Sequence, residues 1–416
     1  MASVKQSKKL HVLLMPFFAT SHIGPFTDLA FHLAAARPDV VEATVAVTPA
    51  NASVVRSALA RRGPSVAGVA VEVVTYAFPA VDSLPPGVEN LSTVADADAW
   101  RIDAAAFDEK LLRPAQEGLV RERAPDAIIT DMHFFWNADV AADLGVPCVT
   151  FYAIGTFPCL AITHLALAGV HNATGSVVTV PGFPSPDIRV PVTELPEFLR
   201  SQQIIPRATG DRTVSAQKSC LGLAVNTFFE LEHGYCDMYV RNGFVKRTYF
   251  VGPLSLPHHR LTHVSEVQLR ELALGLEASG KLFLWVVRAD TWAPPEGWRE
   301  RVGDRGMVVT GWAPQTAILA HPAVGAFVTH CGWNSILETI SAGVPVLTWP
   351  MVVEQFITER FVTEVLAIGE RLWPEGAGVR STRSEEHELI PAEAIAQAVT
   401  AFMEPGGGAG AWQGPE

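Results

Sequence analysis

Between Trp312 and Gln355 the sequence WAPQTAILAHPAVGAFVTHCGWNSILETISAGVPVLTWPMVVEQ brings together groups that bind anions and hydroxyls. Val324 to Cys331 is a short apolar run that suits a buried parallel strand. Gly332 to Ala342 then carries Ile336, Leu337 and Ile340 at helical spacing. The expected unit is strand, tight glycine turn, helix. Free N–H groups and the positive dipole end at such a helix start suit a phosphate, with Asn334 or Ser335 expected as its cap and Gly343 closing the far end. His330, at the strand's carboxyl end, can donate to the same anion. Glu338 lies four residues after Asn334 on one helix face, where a carboxylate would repel phosphate but accept two hydroxyls, as a ribose offers. Taken singly, His330 reads as a satisfied interior histidine and Trp312 and Trp333 as core; only the joint pattern points to a binding site. Cys331 beside His330 has no second pair at zinc spacing, so no metal is expected.

The same stretch resembles the plant secondary product glycosyltransferase signature, the donor-binding box of family 1 UDP-dependent glycosyltransferases. The resemblance implies that Trp312 stacks on uracil, Ala313 meets it through its backbone, and Gln315 and Glu338 hold the ribose. It further implies that His330 and the amides of Trp333, Asn334 and Ser335 offset the charge of leaving UDP. Trp333, Glu354 and Gln355 would contact the sugar, and Gln355 leans the choice toward glucose. UDP-sugar is then a co-substrate, with no other cofactor.

A catalytic base is expected nearer the amino terminus. His22 follows the first strand in FATSHIGP, just before a helix expected from Pro25 to Ala36, whose dipole disfavours an imidazolium and keeps the ring able to accept a proton. The turn resembles the family's glycine–histidine–x–x–proline turn, with Ser21 in place of the usual glycine; there the histidine deprotonates the acceptor. A base works best when a second group orients it. Asp131, ending the strand in PDAIITDMHFFW, resembles the family's aspartate partner. Asp28, Asp126 and Asp139 compete, but Asp28 lies further along the helix, and Asp126 and Asp139 fall outside the strand's carboxyl end. The mechanism implied is in-line attack with inversion.

The elements that must hold these groups alternate. Leu10 to Phe17, Ala43 to Thr48, Val71 to Tyr76, Ala127 to Thr130 and Pro147 to Tyr152 read as strands, with helices such as Trp136 to Leu144 between them. The pattern returns at Gly306 to Thr310, Val324 to Cys331, Val344 to Trp349 and Gly369 to Trp373. This predicts an α/β chain of two facing Rossmann-like, doubly wound domains, and the resemblance implies the GT-B type. The acceptor domain is expected over residues 1–245, a linker over 246–263 centred on the Pro-rich VGPLSLPHHRLTH, and the donor domain over 264–416.

Composition agrees with two domains in 416 residues. With 49% hydrophobic residues but no apolar run near a membrane span, the chain is expected not to cross a membrane. Its basic-then-apolar start reads as the first strand, not a signal peptide. Five scattered cysteines predict reduced thiols in the cytoplasm, leaving the sequons at Asn51, Asn90 and Asn172 unused. A net charge of −12 disfavours nucleic acid. The residues point to no particular oligomeric state. Phe17, Phe18, Phe134, Phe135, Phe151 and Phe157 are candidates for an apolar pocket taking a flavonoid, phenolic or terpenoid acceptor, although each alone reads as core.

Two departures from the family bear on activity. Pro257 leads within seven residues to a helix from Glu266 to Ser279, with Ser265 and Gln268 as a capping box, which leaves no room for the first strand of the second sheet. The second sheet is therefore expected to be interrupted, at a cost exceeding the ~5–15 kcal/mol by which a domain is stable, so that either neighbouring elements rearrange or the chain folds poorly. The chain also ends in a glycine-rich tail expected to be disordered, without the family's C-terminal helix. Against the transferase stand two other readings: an inactive remnant that binds without turnover, and a related two-domain enzyme such as a nucleotide-sugar epimerase.

Overall fold

The computed structural model describes residues 8–61, 69, 71–94, 96–172, 175–184, 186–200, 207–254, 264–287, 292–311, 313–374, 377–383 and 386–411. Among these the strands are β1 Leu10–Met15, β2 Val41–Val47, β3 Val71–Thr75, β4 Ala127–Asp131, β5 Cys148–Tyr152, β6 Val177–Thr179, β7 Arg189–Pro191, β8 Gly222–Val225, β9 Thr248–Phe250, β10 Phe283–Val287, β11 Gly306–Thr310, β12 Phe327–Thr329, β13 Val346–Thr348 and β14 Gly369–Arg371. Contacts divide the chain into one unit of Met1–Thr156 and Gln202–Arg260 and another of Phe157–Ser201 and Leu261–Glu416.

The first unit is built on a seven-stranded sheet in the order β3-β2-β1-β4-β5-β8-β9, with every neighbouring pair parallel. Side-chain alternation along β1 feeds two cores. Leu13 and Met15 pack on one face with Ile128, Phe134 and Trp136, while Leu14 packs on the other with Phe26, Val45 and Phe151. The chain winds outward from β1 to β3, then returns to place β4 on the other flank of β1, so the strand order reverses between them. The carboxyl ends of β1 and β4 thus frame a topological switch point, where open α/β sheets bind ligands.

The five strands expected here are present within one or two residues at their ends. Two more, β8 and β9, extend the sheet, and β9 lies inside the stretch expected as linker. The first helix runs Thr20–Ala36 rather than from Pro25, with Ala19 as its uncapped N-cap. Pro25 is the sixth residue of this helix, past the first four N–H groups that lack carbonyl partners, so it removes one intrahelical hydrogen bond near the helix start.

The second unit's parallel strands fall into two separate sheets, β10-β11 and β12-β13-β14, and among the described residues no strand joins them. Among the described residues this matches the interruption expected from sequence; residues 255–263, just before helix Glu266–Ser279, lie outside them. Leu282 and Leu284, beside and within β10, are 79% and 42% exposed. Stability comes instead from helix packing. Gly275 of helix Glu266–Ser279 lies so close to helix Ala392–Phe402 that a Cβ would sit 2.7 Å from Ile395, so only glycine permits the approach. Ser265 caps the first of these helices by accepting from the Gln268 N–H at 3.2 Å. The Gln268 side chain, however, does not complete the expected capping box; it bonds both backbone groups of Ile390.

The segment Phe157–Ser201 packs within this second unit. Buried Glu194 pairs with Arg360 at 2.7 Å, and Phe157 stacks near Phe361 with centroids 4.9 Å apart. The tail departs from expectation in part: Gly408–Ala411 forms a helical turn against the helix Ala392–Phe402, and residues 412–416 lie outside the described residues. No helix among the described residues is long and apolar enough to cross a membrane.

Candidate active site

At the switch point β1 ends, the chain turns through Pro16 to Ala19, and His22 projects from the first turn of helix Thr20–Ala36. Asp131 is the last residue of β4 and fully buried. His22 Nδ1 lies 2.7 Å from Asp131 Oδ2, and the Phe17 N–H donates to the same oxygen at 3.3 Å. A third group, which sequence reasoning missed, completes the arrangement. His133 approaches the other carboxylate oxygen twice, through Nδ1 at 2.6 Å and its backbone N–H at 3.2 Å. The carboxylate thus receives four hydrogen bonds, as many as its lone pairs accept. Burial pushes the Asp131 carboxyl up, but the two histidines, by charge and hydrogen bond together, outweigh it and hold the acid well below the ordinary carboxylate range. An ionised Asp131 accepts only, so each ring faces it with a proton on Nδ1, and in the neutral form of the ring Nε2 is left with a lone pair.

The histidine turn is braced from behind. The Thr20 N–H donates to Ser92 Oγ at 3.1 Å, and the Asn90 side chain donates to Asn51 at 2.6 Å and to Thr20 at 3.3 Å. Both Asn51 and Asn90 are buried with their amides engaged, which leaves no room for the sugar their sequons would accept. The rivals to Asp131 are occupied elsewhere. Asp126 pairs with Lys8 and accepts from the His11 N–H, Asp139 pairs with Arg212, and Asp28 is buried on the helix rather than at the strand end. Of the phenylalanines considered as an acceptor pocket, all six are buried core residues, and Phe157 belongs to the second unit. Only Phe17 touches the histidine pair, edge-on to His22 and stacked on His133 at 4.1 Å.

In the second unit β12 runs into His330, Cys331 and Gly332, and the helix Trp333–Ala342 begins at once. Cys331 takes a left-handed φ of 63°, a strained turn for a non-glycine residue. A Cβ on Gly332 would lie 2.4 Å from His330 Nε2, so a larger residue there would displace that ring. Gly332 is also the N-cap and supplies no side chain, so Asn334 and Ser335, expected as caps, lie inside the first turn instead. The helix start therefore keeps the character of an anion site. Gln315 donates to Glu338 at 2.8 Å and to Ser335 at 3.2 Å, bringing three of the expected donor residues into one cluster. Burial pushes the Glu338 carboxyl up to about 7, with the Gln315 hydrogen bond opposing it.

Ala313 is buried, and Trp312 lies outside the described residues. Trp333 is buried with its ring 6.0 Å from Phe361. Glu354 and Gln355 open a short helix after a loop in which Val353 adopts a positive φ of 53°. The Gln355 Oε1 accepts from the N–H groups of Met351 and Val352 at 2.9 and 3.1 Å, while its buried Nε2 has no partner among the described residues. Among the described residues the one His/Cys/Asp/Glu group at metal-ligand spacing is His22, Asp131 and His133, with ligand atoms within 4.8 Å of one another. The ring nitrogens facing the carboxylate already share protons with it, so the group is assembled as a hydrogen-bonded chain.

An α/β unit on a seven-stranded parallel sheet carrying a histidine–aspartate pair, together with a second parallel α/β unit carrying a strand–turn–helix, is what a GT-B type glycosyltransferase fold contains. The solved structures agree. A Glycyrrhiza uralensis enzyme crystallised with glycyrrhetinic acid 3-O-monoglucuronide superposes with a TM-score of 0.78 at 28% identity, covering 97% of this chain and 89% of that one. A Medicago truncatula protein solved with UDP-glucose shares the fold with a TM-score of 0.76, covering 96% and 91% of the two chains at 22% identity. The family model described as UDP-glucoronosyl and UDP-glucosyl transferase matches residues 259–371. UDP-glycosyltransferase 73E1 of Stevia rebaudiana is 34% identical over 95% of this chain and 88% of its own length, and the scopoletin glucosyltransferase of Nicotiana tabacum 33% identical over 95% and 90%. The chain belongs to the plant UDP-glycosyltransferase family. It is shortened relative to these proteins: the Stevia alignment runs over 450 residues while taking in 95% of a 416-residue chain, so the relative holds residues that this chain lacks.

Proposed function

We propose that this chain transfers a sugar, glucose in the first instance, from its UDP conjugate to a hydroxyl of a small lipophilic metabolite, inverting the anomeric centre. The observation that carries this reading is the 2.7 Å contact of His22 Nδ1 with buried Asp131, which leaves Nε2 as a base. His22 Nε2 takes the proton of the acceptor hydroxyl, and Asp131 stabilises the imidazolium that results. The oxygen bonds to the anomeric carbon as the bond to the β-phosphate breaks, and the electron pair leaves with UDP. His330 and the first-turn amides of Trp333, Asn334 and Ser335 offset that charge, so the scheme assigns no step to a metal. Gln315 and Glu338 take the ribose, Trp312 and Ala313 the uracil, and Trp333, Glu354 and Gln355 the sugar. The first unit is the acceptor unit and the second the donor unit.

The relatives' names support a phenolic or terpenoid acceptor. They include a flavonoid 3-O-glucosyltransferase of Fragaria ananassa and a nuatigenin 3-beta-glucosyltransferase of Solanum aculeatissimum, besides the tobacco enzyme for scopoletin. Five buried cysteines, none of them in a disulfide, fit a reducing cytoplasm. The reading as an inactive remnant draws no support from relatives that are named as transferases.

The test is incubation with UDP-glucose and a panel of phenolic and terpenoid alcohols, with products read by mass spectrometry. Transfer should fall by about 10²–10⁴-fold in His22→Ala while calorimetric UDP binding is retained. A folded wild-type chain that binds UDP yet yields no glycoside from any acceptor would overturn the proposal.

A further inference from the structure

We infer that the acceptor site grips two adjacent hydroxyls, one on His22 and one on His133, and so selects ortho-dihydroxy aromatic acceptors; the inference rests on the transferase reading above. Asp131 holds both rings by the same atom, Nδ1, at 2.7 and 2.6 Å. Its four incoming hydrogen bonds leave it no capacity for a substrate hydroxyl. The two Nε2 atoms are what remains. Neither has a partner among the described residues, neither is a buried orphan, and the side chains are 16% and 15% exposed beside a fully buried carboxylate.

In the neutral rings both nitrogens are acceptors only, so what binds that form must donate twice. The rings lie 5.5 Å apart, centroid to centroid, at 72°. Two O–H···N bonds of about 2.8 Å, added to the spacing of hydroxyls on neighbouring carbons, span such a pair. His133 cannot swing aside, since Phe17 stacks on it at 4.1 Å and Phe107 leans on it at 4.9 Å. The hydroxyl on His22 gives up its proton in the reaction, and the one on His133 keeps its own and serves as an anchor.

The experiment uses the full chain and three probes: 4-methylcatechol, 4-methylphenol, and 2-methoxy-4-methylphenol, whose second oxygen cannot donate. Binding is measured by calorimetry and transfer from UDP-glucose by product formation. The catechol should bind about tenfold tighter than either mono-ol, the scale of one hydrogen bond made against one left unmade. In His133→Phe, which keeps an aromatic ring against Phe17, that ratio should collapse toward one even as all absolute rates fall with the lost support of Asp131. A wild-type ratio near one, or a catechol preference that survives in His133→Phe, overturns the inference; the methoxy probe tests it in the wild-type chain if the variant does not fold. If the binding ratio behaves as expected and no glycoside forms, the diol site stands and the transferase reading falls.

Discussion

The two units solve the problem of holding reactive groups in opposite ways. In the first, an unbroken seven-stranded sheet delivers His22 and Asp131 to its switch point, and the Asp131 carboxylate already receives the four hydrogen bonds it can accept before any ligand arrives. In the second, the strands among the described residues fall into two sheets, Cys331 and Val353 sit at positive φ, the buried Gln355 Nε2 has no partner among the described residues, and Glu338 is buried against its own ionisation. One site is finished and the other has unmet needs. A base must be oriented before chemistry starts, whereas a donor site can take its last hydrogen bonds from the donor itself.

The largest effect that would break this contrast is expected at Asp131. Asp131→Asn replaces an acceptor of four hydrogen bonds by a group that accepts on one side and donates on the other, so at least one histidine must change tautomer or turn away. Transfer should drop by about 10²–10⁴-fold, with UDP affinity and fold retained. Loss of only a few-fold would mean that the tight network is structural and that catalysis does not depend on it.

How much of this was legible in the residues follows from the same contrast. The strands β1 to β5 announce themselves because buried parallel strands are runs of Val, Ile and Leu, and β8 escaped because four residues, Gly222–Val225, are too few to form a pattern. His22 and Asp131 were found because a turn motif and a strand end mark them. His133 was not: a histidine two residues past a strand end is indistinguishable in sequence from one in a surface loop, and the only signal was its nearness to Asp131 in DMH. The helix start was misjudged because proline favours a first helical turn, whereas Pro25 here is the sixth residue of its helix, at the loss of one intrahelical hydrogen bond. The gap in the second sheet was readable because a missing segment shows in chain length. What Gln355 and Val353 do was not, since positive φ in a β-branched residue runs against propensity.

Unequal completion should also show in melting. A seven-stranded sheet with two cores is expected to outlast sheets of two and three strands, so calorimetry should resolve two transitions, the second unit melting first. UDP at about a hundred times its Kd adds about 2.7 kcal/mol to whatever binds it, enough to move a unit of this size by roughly 5–10 °C. Only the earlier transition should move. A single transition shifted as a whole would show that the units stand or fall together and that the split sheet carries no local weakness.

The smallest and most selective effect is expected at Glu338. Burial, against the Gln315 hydrogen bond, raises its carboxyl from 4.5 to about 7. Because the folded value lies above the ordinary one, the protonated form favours the folded chain; that contribution is complete below about 4.5 and is lost as pH rises through about 7. Ligand binding runs the other way. Ribose hydroxyls donate to a carboxylate and lose an acceptor when it is protonated, so affinity should follow the ionised fraction. Uridine is the right probe, since it has no phosphate to titrate. Its affinity should rise about thirtyfold from pH 5.5 to pH 8, with the midpoint near 7, and stay flat in Glu338→Gln. A flat wild-type profile would mean that the ribose does not use Glu338, and a slope surviving in Glu338→Gln would move the titrating group elsewhere. The expected profile would instead fix the donor site as one whose polar groups are satisfied only when the nucleoside is bound.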